Sequence, residues 1–95
     1  MEDWKPDLSK RRVVCAACRD TDGLIVAGAR HFDGIMHAQI AAMGKSDSFR
    51  GAEQGFIDQF GLFLTREEAY KVAEEKGQLL NKPTIPGTLF SEDLY

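Results

Sequence analysis

The sequence predicts an α+β fold, a single small domain of order β-β-α-β-β-α with one mixed or antiparallel sheet and two helices against a face. Three observations predict it. The pattern Asp-x-x-Gly-Leu-apolar-apolar occurs twice, as Asp20-Thr21-Asp22-Gly23-Leu24-Ile25-Val26 and as Asp58-Gln59-Phe60-Gly61-Leu62-Phe63-Leu64, each time where two apolar runs meet. Each copy is followed by a stretch with helix start and stop residues. The run from Glu53 to Ala69 reads without interruption as strand, turn, strand and helix start. Turn chemistry alone accounts for most of the repetition.

Taken in order, Met1 to Ser9 read as an irregular arm, with Trp4 its one large apolar group and Pro6 interrupting regular structure. The arm extends to residue 10, and residues 11–95 form the domain. Arg11 to Arg19 is the first strand and Leu24 to Arg30 the second. Asp20-Thr21-Asp22-Gly23 suits a type I turn with a following bulge, and a two-residue Asp22-Gly23 turn is the competing register. Both strands are apolar on both faces near their middles, which places them centrally in the sheet. Ala16, Ala17, Ala27, Gly28 and Ala29 leave so little bulk there that a helix or a ligand must approach closely.

Asp33 then caps a helix from Gly34 to Met43 that Gly44 stops. Ile35, Met36, Ile40 and Met43 share one face of it at ~100° per residue. Gly44 to Ala52 is a polar loop. Its Gly44-Lys45-Ser46 resembles the end of a Walker A loop, but the motif's first glycine would fall at Gln39 inside the helix, and no strand precedes it. Phe56-Ile57 and Leu62-Phe63-Leu64 are the strands of the second hairpin. Thr65-Arg66-Glu67-Glu68 is a capping box opening a helix that runs to about Lys76 and stops at Gly77, with Ala69, Val72 and Ala73 as its inner face. Pro83 and Pro86 mark the tail as a loop. Thr88-Leu89-Phe90 can add an edge strand, followed by a polar turn with Leu94 and Tyr95 as anchors.

Composition narrows the function classes. Ninety-five residues, 43% hydrophobic and 28% charged, belong to an ordinary globular domain. A net charge of -3 argues against duplex DNA as a partner, and the one basic cluster, Lys10-Arg11-Arg12, follows Glu2, Asp3 and Asp7. No apolar run reaches the roughly 20 residues of a membrane span, and the acidic start lacks the layout of a signal peptide, so the expectation is a cytoplasmic protein. Cys15 and Cys18 lie three apart in a strand and so on opposite faces, which makes them core thiols rather than a redox or zinc pair. No cofactor or metal is expected.

The run Glu53-Gln54-Gly55-Phe56, then Gly61, Arg66-Glu67-Glu68-Ala69, Gly77-Gln78 and Leu89-Phe90-Ser91-Glu92-Asp93-Leu94-Tyr95 resembles a family of small proteins encoded by bacteriophages and prophages. Gly28-Ala29-Arg30-His31 belongs to the same pattern, so the resemblance covers most of residues 13–95. It implies a phage accessory protein made in the host cytoplasm. By analogy with other such proteins, it suggests a counter to host defences, for example by sequestering a nucleotide signal.

The candidate site rests on Arg30 and His31, between the end of a strand and a helix N-terminus, where free amides, the helix dipole and a guanidinium fork favour an anion. Glu53 and Gln54 can lie beside them if the third strand joins the sheet near the second, and Gln54 can read a base or amide edge. Phe60, at a turn position, is the aromatic most available to stack on a ligand or a partner subunit. Arg19 and Arg66 are weaker candidates. Simpler roles compete: His31 as a cap or a donor to a buried carbonyl, His37 as packing, and Glu53 as the ion-pair partner of Arg30. Three functions then fit: a module binding a small anionic, nucleotide-like ligand; a small hydrolase using His31 with Glu53; or a factor that binds a host protein. Apolar chain ends also suit a homodimer or higher homo-oligomer.

Overall fold

The computed structural model describes residues 5–45, 47–80 and 85–94, so Trp4, Ser46, Pro83 and Tyr95 lie outside the described residues. Four strands form one antiparallel sheet: β1 (Val13–Arg19), β2 (Ile25–Gly28), β3 (Glu53–Asp58) and β4 (Phe63–Thr65), in the spatial order β2-β1-β3-β4. Two helices, α1 (Gly34–Met43) and α2 (Arg66–Glu75), are inserted after the two hairpins. Both contribute to a single buried cluster with Val13, Ala16, Cys18, Val26, Phe56 and Leu64. These strand residues alternate along the chain and therefore share one face of the sheet.

Register explains the burial pattern of β1. Val13 pairs with Asp58 and Cys15 with Ile57, so Val14 is an extra residue at a bulge. The bulge returns Val13 to the core face and leaves Val14 exposed. Cys15 and Cys18 do fall on opposite faces, but Cys15 is only partly buried, whereas Cys18 is in the core. Burial pushes the Cys18 thiol up to about 11, and it raises Cys15 as well. Neither thiol is prepared to react as a thiolate.

Among the described strands only β1 and β3 are central. Strand β2, expected inside the sheet, is an edge, and the side-chain amide of Gln39 on α1 closes that edge by accepting from Ala27 N–H at 3.1 Å and donating to Ala27 C=O. Gln78 does the same for Val13, at 3.0 and 2.8 Å, beyond the reach of β2. A glutamine amide carries a donor and an acceptor side by side, as a neighbouring strand does, so each blunts an exposed ladder.

The helix boundaries follow from their caps. Asp33 accepts from Met36 N–H at 2.9 Å at the start of α1, and Gly44 ends it at φ 64°. The expected four-residue face is half realised: Met36 and Ile40 are buried, while Ile35 and Met43 are exposed. The missing area is supplied by Phe49, a buried residue in the loop read as polar. Both halves of the Thr65/Glu68 capping box form, at 3.2 and 2.9 Å, and they hold the Glu68 carboxyl below its usual range. Ala69 and Ala73 set α2 close against the sheet. Thr88-Leu89-Phe90 adds no strand. Leu89 N–H donates once, to Arg66 C=O, and Ser91–Asp93 is a 3-10 turn.

Candidate functional site

Strand β3 supplies the floor of the site and, by alternation, decides which of its residues belong to it. Gln54, Phe56 and Asp58 turn to the helix-bearing face, and Glu53, Gly55 and Ile57 to the other. A cleft of about 200 Å³ on the helix-bearing side is lined by Arg30, His31, Gln54, Arg66, Phe90, Ser91 and Glu92. Arg30 and His31 reach it from the loop leading to α1, Gln54 from β3, Arg66 as the first residue of α2, and Phe90, Ser91 and Glu92 from the C-terminal segment.

His31 is anchored. Its Nε2 lies 2.7 Å from the carbonyl of Gly55, and a carbonyl only accepts, so Nε2 carries the proton and Nδ1 the lone pair. The ring also stands edge-on to Phe56 at 5.1 Å. Burial lowers the imidazole below its ordinary value, the bond to Gly55 and nearby Glu92 oppose that, and the Arg66 charge adds to it. His31 is therefore held towards the neutral form.

Arg66 crosslinks the wall of the cleft. One of its terminal nitrogens donates to Leu89 C=O at 2.7 Å and the other to Gln54 Oε1 at 2.6 Å. Its guanidinium lies 4.6 Å from the centre of the Phe90 ring. Both of those acceptors are uncharged; desolvation lowers its pKa, and the more distant Cys18, Glu92 and Glu67 oppose that without bonding to it.

At the α1 terminus the amides are met by the chain's own carboxylate. Asp33 supplies it, accepting from Arg30 N–H at 3.1 Å as well as from Met36 N–H, and those bonds hold its carboxyl below the ordinary range. The close approach expected at Gly28 is the same carboxylate, which a Cβ there would strike. Between His31 and Asp33, Phe32 takes φ 55°, a left-handed conformation strained for an aromatic residue. Packing against the core and a bond from its N–H to Met36 Sδ at 3.1 Å hold it there.

Arg30, His31, Gln54 and Arg66 thus line one cleft, and Glu53 and Phe60 do not. Glu53 pairs with Arg19 across β1 and β3 at 2.6 Å rather than with Arg30. It belongs to β3, so it cannot face the same way as Gln54. Arg19, beside it, lies over the ring of Phe63 at 4.3 Å. Phe60 is in the turn that follows β3, at the opposite end of that strand from Gln54. His37 lies on α1 with its ring 6.1 Å from that of Phe32. Phe90, Ser91 and Glu92 are additions that carried no chemical signal in the sequence beyond their place in the family-like pattern. Among the described residues no group of three or more His, Cys, Asp or Glu side chains could hold a metal, and no helix is long and apolar enough to cross a membrane.

Fold and cleft together define a small α+β protein with a one-sided sheet and an arginine-rich cleft between its two helical insertions. The chain belongs to the family described as Phage T4 y16D protein, whose family model matches residues 12–95. No curated protein and no solved structure matches it.

Proposed function

We propose that this phage protein is a binding module that holds a small anionic, nucleotide-like ligand in the cleft of Arg30, His31, Gln54 and Arg66. The observation that carries this reading is the convergence of two guanidinium groups on one concave surface, with Arg66 hydrogen-bonded, among the described residues, only to uncharged oxygens at 2.6 and 2.7 Å. A phosphate or carboxylate would complete the pairing of the guanidinium charge. The Gln54 amide, oriented by Arg66, offers its N–H groups to a base or amide edge, and Phe90 adds an aromatic face.

Size sets which part of a nucleotide is held. About 200 Å³ is below the roughly 300 Å³ at which clefts for drug-sized ligands begin. The cleft suits a phosphate with part of a sugar or base, and the remainder lies outside, against solvent or a second copy. Binding is favoured over turnover because the His31 proton is committed to Gly55 and Glu53 is engaged with Arg19. Such a module would act in infection by sequestering its ligand.

The test is to purify the protein from infected cells, denature it and identify what is released by mass spectrometry. A phosphorylated compound at near-stoichiometric amount from the wild type, and strongly reduced from Arg30→Gln, is expected. Release of nothing from the wild type, together with no binding of added mononucleotides, would refute the reading.

A further inference from the structure

The sheet has a second broad side that the cleft does not use. Both helices pack on the face of Val13, Ala16, Cys18, Val26, Phe56 and Leu64, so the alternate residues of all four strands point the other way. The molecule is 40 × 37 Å across but 19 Å thick, the depth of one sheet and one layer of helices at about 10 Å each. Among the described residues no element packs on this open face. It leaves Val14 48% and Ile25 39% exposed, and Arg19 and Glu53 are the only charged strand residues that point to it.

Register divides the open face into two unlike halves. Strands β1 and β2 present small side chains, and a depression of about 420 Å³ there is lined by Val14, Cys15, Ala27, Gly28 and Ala29. Level with Cys15, strands β3 and β4 present the bulkier Ile57 and Phe63. The central level, Ala27, Ala17, Gly55 and Thr65, is small throughout. At the far end Arg19 on β1 stands beside Glu53 on β3.

We propose that this face binds a second copy of the chain, sheet on sheet, about a two-fold axis that runs parallel to the strands between β1 and β3. In the order β2-β1-β3-β4, that axis sets β1 against the partner's β3 and β2 against the partner's β4, each residue keeping its level. The Ile57 and Phe63 half of each copy then meets the depression of the other. The small central level lets the sheets approach to the roughly 10 Å of a packed sandwich. Arg19 of each copy meets the partner's Glu53. Within one chain those two share a single bond, from one Arg19 nitrogen to Glu53 Oε1 at 2.6 Å, and their side chains stay 39% and 47% exposed, so both can pair again. An interface of standard size takes about 800 Å² from each partner, roughly half of a 40 × 37 Å outline, and this side is broad enough for it. The face lies opposite the cleft, so the dimer does not depend on the ligand.

Sedimentation of the full chain tests the proposal. The wild type should run as a dimer at micromolar concentration. Val14→Glu, at the edge of the depression, and Ala27→Glu, inside it, should each weaken the dimer by about tenfold or more, because each buries an unpaired charge in the interface. Arg19→Glu leaves the end of the face wholly acidic and Glu53→Arg leaves it wholly basic, so each should run as a monomer alone. An equimolar mixture of the two should form a one-to-one heterodimer. Recovery in the mixture reads pairing between chains, since neither variant retains the pair within its own chain. If a charge variant fails to fold, the two interface glutamates still decide. A monomeric wild type overturns the proposal, including one whose open-face amide signals shift only with lipid vesicles or a host protein, which would then be the occupant. So does a dimer that neither Val14→Glu nor Ala27→Glu weakens, or a pair of folded charge variants that stay apart when mixed.

Discussion

The turns at Asp20 and Asp58 share the pattern Asp-x-x-Gly-Leu and the same backbone bonding, yet only one is finished by the rest of the described chain. In each, the glycine N–H donates back to the aspartate C=O, at 3.1 Å in the first and 3.0 Å in the second, and Gly23 and Gly61 both adopt positive φ. This is the type I turn with a following bulge, not the two-residue alternative. Arg11, 47 residues away, then reaches Asp58, and among the described residues none bonds to the second oxygen of Asp20. Four or five residues of sequence are enough to make a turn. Whether its carboxylate is satisfied is decided by tertiary structure.

The largest break in the comparison should come from Asp58→Ala. It removes two turn bonds and strands Arg11, a loss of about 3 kcal/mol by the cost of breaking a largely buried pair. Urea unfolding measures it, and a loss no greater than that of Asp20→Ala would end the claim that the turns differ. Next, Arg11→Ala should cost about 2 kcal/mol, because it leaves Asp58 Oδ2 in the condition of Asp20 Oδ2. The smallest effect belongs to Asp20→Asn, about 1 kcal/mol, since it exchanges one unbonded buried atom for another and keeps the Oδ1 bonds.

Acidification gives a reference that belongs to neither turn. Burial depresses His31 below its ordinary value of 6.5, so between its folded value and 6.5 the unfolded chain binds more protons. His31 therefore contributes stability that is fully present above pH 6.5 and is lost as pH falls through its folded value. Asp33 and Glu68, also depressed, lose theirs at lower pH, as it falls from their ordinary values of 3.8 and 4.5 through their lowered folded ones. A fall in the urea midpoint between pH 7 and about 5 in the wild type, diminished in His31→Gln, is the expected result.

How much of this was legible follows the same division between local and distant. Caps and turns lie within a few residues of one another, so the limits of α1, the capping box of α2 and both hairpins could be read directly. The edge position of β2 could not, because its apolar character answers partly to α1 and Gln39 rather than to two flanking strands. For the cleft, Arg30, His31 and Gln54 were legible as residues needing an explanation. Glu53 was misplaced because the Glu53-Gln54-Gly55 segment has low strand propensity and read as the approach to a strand beginning at Phe56. It pairs with Arg19 instead, and strand alternation then separates Glu53 from Gln54. Arg66 looked like an ordinary first-turn residue, because the segment ending in Phe90 that it holds lies 23 residues further along the chain.

The claim that matters most is that Gln54 and Arg66, not Glu53 and Phe60, face the ligand. A titration of the protein with adenosine monophosphate, followed through the side-chain NMR signals of Gln54, Arg66 and His31, tests it most directly. Saturable shifts of those three signals, with the amide of Phe60 and the side chain of Arg19 unmoved, are the predicted result. Shifts centred on Arg19 and Phe60, or no saturable shift at the cleft with this or any other mononucleotide, would contradict it.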